Sequence, residues 1–151
     1  MLSLITRIHD LRLAFPSESV VEIHRAVSIM ALPGAPRVIE GTVDVRGIVL
    51  PVIDLAERLG LAPRPVISAD EHLVVLRAGG RTVAVRVEEA ESLEDVDARA
   101  VREGEPILAA ARTVAGVARL GDGTVTVHDP AAFLGQAERE ALERALDDAG
   151  A

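Results

Sequence analysis

Alternation of apolar and polar residues constrains the fold of this chain more than any other feature. The alternation recurs in four separate segments, at residues 11–15, 42–46, 82–87 and 124–127. Because successive side chains of an extended strand point to opposite faces, each segment is predicted to be a half-buried β-strand. Two continuous apolar runs, Ile48–Ile53 and Leu73–Leu76, predict strands that are buried on both faces. Glycine-rich turns at Ala78–Gly80 and Gly121–Gly123 predict hairpins, and short strands joined in this way favour a sandwich or a small barrel.

Three helical segments are expected between and after the strands. Asp54 is placed to cap a short helix over Leu55–Leu59. A turn of helix is expected from Ser17 to Glu22. The Asp-Pro pair that begins at Asp129 is a helix-start signal, and it predicts a tail helix within Ala131–Asp148.

The composition excludes several kinds of chemistry. The chain has 151 residues, a net charge of −8, no Cys, Trp or Tyr, and no Lys. It therefore lacks a thiolate nucleophile, a sulfur-bound zinc site, a Schiff-base lysine and a P-loop lysine. An acidic chain with Phe15 and Phe133 as its aromatic residues is not expected to bind nucleic acid or an anionic membrane. The acidic tract Glu88–Asp97 is expected to form a long, solvated surface loop.

The chain shows no pattern of a membrane-targeted protein. Its first residues carry charges inside an apolar stretch, unlike a signal peptide. No apolar run approaches the length of about 20 residues that a membrane span requires. A cytoplasmic protein without direct membrane insertion is therefore expected.

The four histidines are the obvious candidates for catalysis or metal binding. None of His9, His24, His72 and His128 has a histidine partner at the spacing of a metal-binding motif. The residues therefore predict no metal site, no cofactor and no assembled catalytic centre. One alternative stays open, a small β-barrel enzyme that uses His72 or His128 with a nearby carboxylate.

The segment Gly41–Leu55 is the most unusual part of the sequence. Arg46 and Gly47 separate two apolar strands, and Pro51 lies inside the second, which indicates an edge strand or a bulge. A guanidinium at such a corner must pair with a carboxylate or present its donors outward. Two interpretations of Arg46 follow: an internal Arg–carboxylate bridge, or a recognition residue on a protein-binding face.

This segment resembles the CheW family, the adaptors of bacterial chemosensory arrays. The positions that match the family's pattern in register are Gly41, Val43, Arg46, Gly47, Pro51, Asp54 and Leu55. Further motifs follow in the family's order, at Val20–Ile23, Gly80–Glu88, Val114–Ala118 and Thr124–His128. The resemblance extends from about Ile5 to Leu134.

The resemblance implies a fold and a domain organisation. It implies a mainly β fold of two small five-stranded SH3-like β-barrels packed on a shared core, with short helices. The CheW-like domain would occupy residues 1–135, and residues 136–151 would form a C-terminal helical tail. Such a domain has no catalytic activity and needs no cofactor.

The resemblance also implies partners. Members of the family bridge the cytoplasmic tips of methyl-accepting chemotaxis receptors and the regulatory domain of the CheA histidine kinase, at arrays beneath the inner membrane. Arg46 would be the main receptor-binding residue, in a groove that accepts the helical hairpin of the receptor tip. The other residues implied at receptor or kinase contacts are Val20, Glu22, Gly41, Gly47, Leu73, Val75 and Leu93. The alternatives are a CheW-like regulatory domain of a non-flagellar chemosensory system and a competitor of array assembly.

The chain departs from the family pattern at three informative positions. Asp44 replaces the usual Asn, Glu88 replaces the usual Asp, and Arg86 lies where an apolar residue is usual. Asp44 is close enough in sequence to hold the guanidinium of Arg46 and so compete with a partner.

Overall fold

The computed structural model describes residues 1–63, 68–97, 99–100, 114–121 and 123–150. The strands, in chain order, are β1 Leu2–Ile8, β2 Leu11–Pro16, β3 Val20–Arg25, β4 Ile39–Val45, β5 Ile48–Ile53, β6 His72–Ala78, β7 Arg81–Val87, β8 Glu89–Asp95, β9 Arg99–Ala100, β10 Val114–Leu120 and β11 Gly123–His128. The helices are α1 Leu55–Leu59 and α2 Gln136–Asp148, with 3-10 turns at Ser17–Ser19 and Pro130–Ala132.

The strands form two sheets. The first has the order β8-β1-β2-β11-β10-β9, and the second has the order β3-β6-β7-β5-β4. Neighbouring strands are antiparallel except for β2 with β11 and β5 with β7, which are parallel. Because β9 contributes only two residues, each sheet has five principal strands. The prediction of a mainly β fold built from two five-stranded units is confirmed.

Buried apolar side chains form three groups. The shared cluster lies between the sheets and includes Leu4, Ile8, Leu13, Phe15, Val74, Leu76, Val83, Val85 and Phe133. The second-sheet cluster contains Val43, Val45, Leu50, Val52, Leu73, Val75 and Ala84. The first-sheet cluster contains Ile5, Ala14, Val96, Ala118, Val125 and Val127. Each sheet thus buries one face in common with the other sheet and one face of its own.

Strand β6 shows how the sequence encodes this arrangement. Leu73 and Val75 point into the second-sheet cluster, whereas Val74 and Leu76 point into the shared cluster. Alternation along a strand sends consecutive side chains to opposite faces, so a strand between two cores needs a continuous apolar run. The prediction that Leu73–Leu76 is buried on both faces is correct.

Strand β5 forms where it is predicted, but its first residues are not buried. Ile48 and Val49 are 64% and 47% exposed. The strand pairs with β7 at Val52 and Ile53, near its end, so its beginning has β4 as its paired neighbour. The apolar run therefore continues beyond the core onto the surface.

A buried arginine lies on β7. The side chain of Arg86 is 5% exposed, on the strand face that Ala84 directs into the second-sheet cluster. Its Nη2 atom lies 2.8 Å from Glu40 Oε1, and its Nη1 atom lies 3.5 Å from Glu71 Oε2. Since a buried charge is costly unless it is paired, these two carboxylates explain how an arginine occupies a buried position of the sheet.

The predicted first helix forms as expected, whereas the predicted helical turn before β3 does not. The Asp54 carboxylate accepts the Glu57 N–H at 3.1 Å, so it caps α1 as predicted. The helix predicted over Ser17–Glu22 is limited to a 3-10 turn at Ser17–Ser19. Strand β3 begins at Val20, which is paired with Leu76 of β6, because strand pairing outweighs local helical preference there.

The acidic tract is a strand, so its prediction as a surface loop is wrong. Glu89–Asp95 forms β8, which pairs with β1 along the edge of the first sheet. Arg7 lies 2.6 Å from Glu88, and Arg12 lies 3.4 Å from Glu91, which offsets the repulsion between the carboxylates. Charged side chains on an edge strand also discourage pairing with another chain. The polar stretch that follows lies largely outside the described residues.

Helix α2 packs on the barrels. Leu142 and Leu146 join the shared cluster, and Glu138 pairs with Arg58 of α1. The division of the chain after residue 135 stays a prediction. None of the described helices combines the length and the apolar composition that crossing a bilayer requires.

Candidate functional site

The turn between β4 and β5 presents Arg46 to solvent. Arg46 and Gly47 both have positive φ, at 53° and 82°, as in the tight turns that suit the twist of a hairpin. The Asp44 carboxylate accepts the Gly47 N–H at 2.7 Å and holds the turn closed. Positive φ is uncommon for residues other than glycine, so the turn fixes Arg46 in a costly conformation with its side chain 76% exposed.

Arg46 pairs with strand β3. Its Nη1 atom lies 3.2 Å from Glu22 Oε2, and Nε2 of His24 lies 2.6 Å from Glu22 Oε1. The contact with His24, and then the charge of Arg46, lower the pKa of the Glu22 carboxyl, while partial burial acts in the opposite direction. We call Glu22, His24 and Arg46 the rim cluster.

The rim cluster combines the two interpretations of Arg46. The residue forms an Arg–carboxylate bridge within the chain, yet most of its guanidinium faces solvent. The expectation that Asp44 holds this guanidinium is wrong, because the Asp44 carboxylate bonds the backbone of Gly47 instead. Arg46 keeps donors available for a partner, since a guanidinium carries five N–H groups.

Gly41 is required by a close backbone approach. A Cβ atom at this position would lie 2.2 Å from the carbonyl oxygen of Met30. Met30 and Thr42 exchange backbone hydrogen bonds of 2.9 Å and 2.7 Å, which brings the preceding segment against β4. Gly41 therefore shapes the strand that leads to Arg46, and it has no side chain to offer a partner.

Leu73 and Val75 lie behind the rim cluster. They are 0% and 1% exposed, within the second-sheet cluster. In the pairing of β3 with β6, His24 is opposite Leu73 and Glu22 is opposite Val75. Residues opposite each other share a face of the sheet, so these two apolar side chains support the rim cluster from the interior.

Partly exposed apolar side chains of both sheets lie next to the shared cluster, at the protein surface. On β3, Val20 packs against that cluster, and Ile23, which is opposite Val74, is 44% exposed. On β8, Leu93 is opposite Leu4 of the shared cluster and is 60% exposed. We call Val20, Ile23 and Leu93 the apolar seam. Val20 and Ile23 lie on the opposite face of β3 from Glu22 and His24, whereas Leu93 lies on β8 of the first sheet.

The histidines do not assemble a catalytic site in the described part of the chain. His128 is fully buried, with its ring against Phe15 and Phe133 and its Nε2 atom 2.7 Å from Thr126 Oγ1. Burial lowers the pKa of His128 to about 4. Among the described residues, no group of three or more His, Cys, Asp or Glu side chains is arranged to hold a metal ion.

Comparison with known families identifies this arrangement. Residues 3–138 match the model of the CheW-like domain. The chain belongs to the CheW-like domain family. The match covers the rim cluster, the apolar seam and both sheets, so the resemblance carried by Gly41–Leu55 is confirmed at the level of the family.

Two curated relatives share parts of this CheW-like chain. Protein FrzA of Myxococcus xanthus is 51% identical over 49 residues, which are 32% of this chain and 31% of FrzA. The probable chemotaxis protein CheW of Rhizobium etli is 35% identical over 77 residues, which are 51% of this chain and 48% of that protein. The matches thus span half or less of the length of these relatives.

A solved structure shares the fold. The scaffolding protein CheW from Thermoanaerobacter tengcongensis superimposes with a TM-score of 0.78 at 22% identity, over 91% of this chain and 89% of that one. The superposition shows a shared fold, and the match to the CheW-like domain places this chain in a family of non-enzymatic proteins. The alternative of a small β-barrel enzyme at His72 or His128 is therefore not retained.

Sequence reasoning identified Arg46 and Glu22 as site residues but did not find their pairing or His24. The pairing depends on β3 meeting the β4–β5 turn, which no local pattern reports. The sequence does hold a weaker signal for His24. Glu22 and His24 are two residues apart in an alternating strand, so their side chains must share a face.

Proposed function

We propose that this chain couples the cytoplasmic tips of methyl-accepting chemotaxis receptors to a CheA-type histidine kinase, in a cytoplasmic array beneath the inner membrane. Membership of the CheW-like domain family supports this role, as does the chemotaxis relative from Rhizobium etli. The observation that carries the proposal is the exposed guanidinium of Arg46 on a closed, hydrogen-bonded turn.

The surroundings of Arg46 suit a protein interface. Ile48 and Val49 follow it on β5 and are largely exposed, so an arginine stands beside apolar surface. Arginines surrounded by apolar contacts are frequent hot spots of protein interfaces. A guanidinium already held by Glu22 loses less conformational freedom on binding than a free one.

The apolar seam suits a helical partner. Val20, Ile23 and Leu93 offer aliphatic contacts of the kind with which grooves bind amphipathic helices. In this proposal the receptor hairpin contacts the seam and Arg46 together. Leu73 and Val75 act from the interior by supporting β3, and Gly41 and Gly47 act by shaping the backbone around Arg46.

Charge reversal at Arg46 tests the proposal. Arg46→Glu should weaken binding of a receptor cytoplasmic fragment by about 30-fold or more, as removal of a hot-spot arginine does. Binding is measured by co-sedimentation of the chain with the receptor fragment and the kinase. The matched control is Arg119→Glu, which reverses an exposed arginine on β10 of the other sheet. Binding of Arg46→Glu at wild-type strength and physiological salt contradicts the receptor contact.

The same experiment separates the alternative roles. A coupling protein sediments with the receptor fragment and the kinase in one complex. A competitor of array assembly, or a regulatory domain of a non-flagellar system with one partner, sediments with one of them and reduces the amount of the ternary complex.

A further inference from the structure

We propose that the apolar seam selects its helical partner by charge, and that the partner helix carries a basic side chain facing β8 and an acidic side chain facing β3. The residues that would contact these two charges are Asp95 on β8 and Arg25 on β3. The proposal rests on the receptor contact proposed above and adds to it the charge pattern that the partner must carry.

Asp95 places a carboxylate beside the seam on β8. Leu93 is opposite Leu4, and Asp95 is two residues further along β8, so both side chains lie on the face that Leu4 directs into the shared cluster. The side chain of Asp95 is 84% exposed, and its Oδ1 atom lies 2.5 Å from the amino group of Met1. Water screens so exposed a pair, and a carboxylate has a second oxygen. Asp95 therefore keeps an acceptor for a partner beside Leu93.

Arg25 places a guanidinium beside the seam on β3. Ile23 is opposite Val74, which belongs to the shared cluster, and Arg25 is two residues further along the strand. The side chains of Ile23 and Arg25 therefore lie on the same face of β3. Arg25 is exposed, and within the described part of the chain no ion pair links it to a carboxylate. Its N–H donors are available to a partner.

The two charged residues lie on opposite sides of the seam. Strand β3 is an edge strand of the second sheet, and β8 is an edge strand of the first. The 3-10 turn that leads into β3 contacts β1, and β6, the neighbour of β3, contacts β8. A helix that directs its apolar stripe at the seam would therefore direct the residues on one side of that stripe at β3 and those on the other side at β8.

The acidity of the chain makes the sign of each mutational effect informative. The net charge is −8, so a purely acidic partner is repelled, and replacing a carboxylate with a cation strengthens its binding. For a purely basic partner, replacing an arginine with a carboxylate strengthens binding. A partner that meets both Asp95 and Arg25 with opposite charges loses attraction in both cases. The proposal therefore predicts that charge reversal weakens binding at both positions.

The test measures the dissociation constant of the chain and a receptor cytoplasmic fragment in dilute salt, where charges are least screened. Asp95→Arg and Arg25→Glu should each weaken binding about fivefold, the effect of exchanging an attractive for a repulsive charge in a water-like medium. Both effects should shrink when the salt concentration is raised, because ions screen exposed charges. Stronger binding by either variant overturns the proposal.

Glu94→Arg is the matched control for Asp95→Arg. Glu94 is the preceding residue of β8 and is opposite Ser3, so it lies on the other face of the strand. The two variants change the net charge equally, and Glu94→Arg should bind close to wild type. Arg119→Glu on β10 is the corresponding control for Arg25→Glu. If either seam variant binds as its control does, the role of that seam residue is wrong.

A second measurement does not depend on the receptor. Three labelled helical peptides share one leucine stripe, which is flanked by lysine on both sides, by glutamate on both sides, or by lysine on one side and glutamate on the other. Fluorescence anisotropy should show the tightest binding for the mixed peptide, and Asp95→Arg should remove that preference. Equal or weaker binding of the mixed peptide overturns the proposal. If the mixed peptide is preferred but wild-type protein binds no receptor fragment, the receptor-coupling function fails and the charge selection stands.

Discussion

Arg46 and Arg86 are both paired with glutamate in the second sheet, but their surroundings differ. Arg86 is 5% exposed and lies between Glu40 and Glu71, among side chains of the second-sheet cluster. Arg46 is 76% exposed and touches Glu22 at the rim. The same pair of residue types therefore belongs to the core in one region and to the candidate binding surface in the other.

The difference shows that burial decides whether an Arg–Glu pair contributes to the stability of the fold. In the interior, the pair replaces lost hydration, so removing one member leaves charges without compensation. At the rim, water solvates both members, and the pair orients a side chain without adding much stability. Mutations should therefore affect stability at Arg86 and binding at Arg46.

The largest effect is expected at the buried pair. Arg86→Met keeps much of the side-chain volume but takes away the guanidinium that both Glu40 and Glu71 contact. Unfolding in urea should show a loss of about 3–5 kcal/mol in the free energy of unfolding, as for other broken buried pairs. Adding Glu71→Gln to Arg86→Met should recover part of the loss. If Arg86→Met alone is as stable as wild type, the proposed difference between Arg86 and Arg46 is wrong.

A smaller effect is expected from His128, a buried titratable group of the first sheet. Burial lowers the pKa of His128 from 6.5 to about 4, so the folded state resists protonation that the unfolded state accepts. Stability from this residue is present above about pH 6.5 and is lost as the pH falls towards about 4. The shift corresponds to about 3 kcal/mol.

Urea unfolding at a series of pH values checks the His128 prediction, with His128→Gln as the comparison. The variant should lose less stability between about pH 6.5 and 5 than wild type does. The lowered pKa of Glu22 acts in the same direction but at more acidic pH, because the ordinary value for that carboxyl is 4.5. Parallel curves for the two proteins above that value contradict the assignment to His128.

Local patterns were sufficient for the elements that depend on neighbouring residues. The apolar run Leu73–Leu76 indicated a strand between two cores, and Asp54 indicated the start of α1. The turn at Arg46 was recognisable from the glycine that follows it and from the family pattern around it.

Contacts between residues far apart in the chain explain the features that local sequence patterns did not predict. Glu89–Asp95 has the composition of a loop, and it becomes a strand because β1 and β2 supply Arg7 and Arg12 to its neighbourhood. The partners of Arg86 likewise come from other elements, β4 and the residue before β6. Local propensity cannot report contacts that exist only after the sheets have formed.

The smallest effect on stability is expected at the rim. Arg46→Gln removes the charge that faces Glu22 but leaves the turn, which the Asp44–Gly47 hydrogen bond holds. Its urea midpoint should equal that of wild type within error, because exposed ion pairs contribute little to stability. Binding of the receptor fragment should nevertheless fall, since a neutral side chain cannot replace the guanidinium fork. A clear loss of stability in Arg46→Gln would place this arginine with Arg86, among residues that the fold requires, and its exposed guanidinium would then need no partner to explain it.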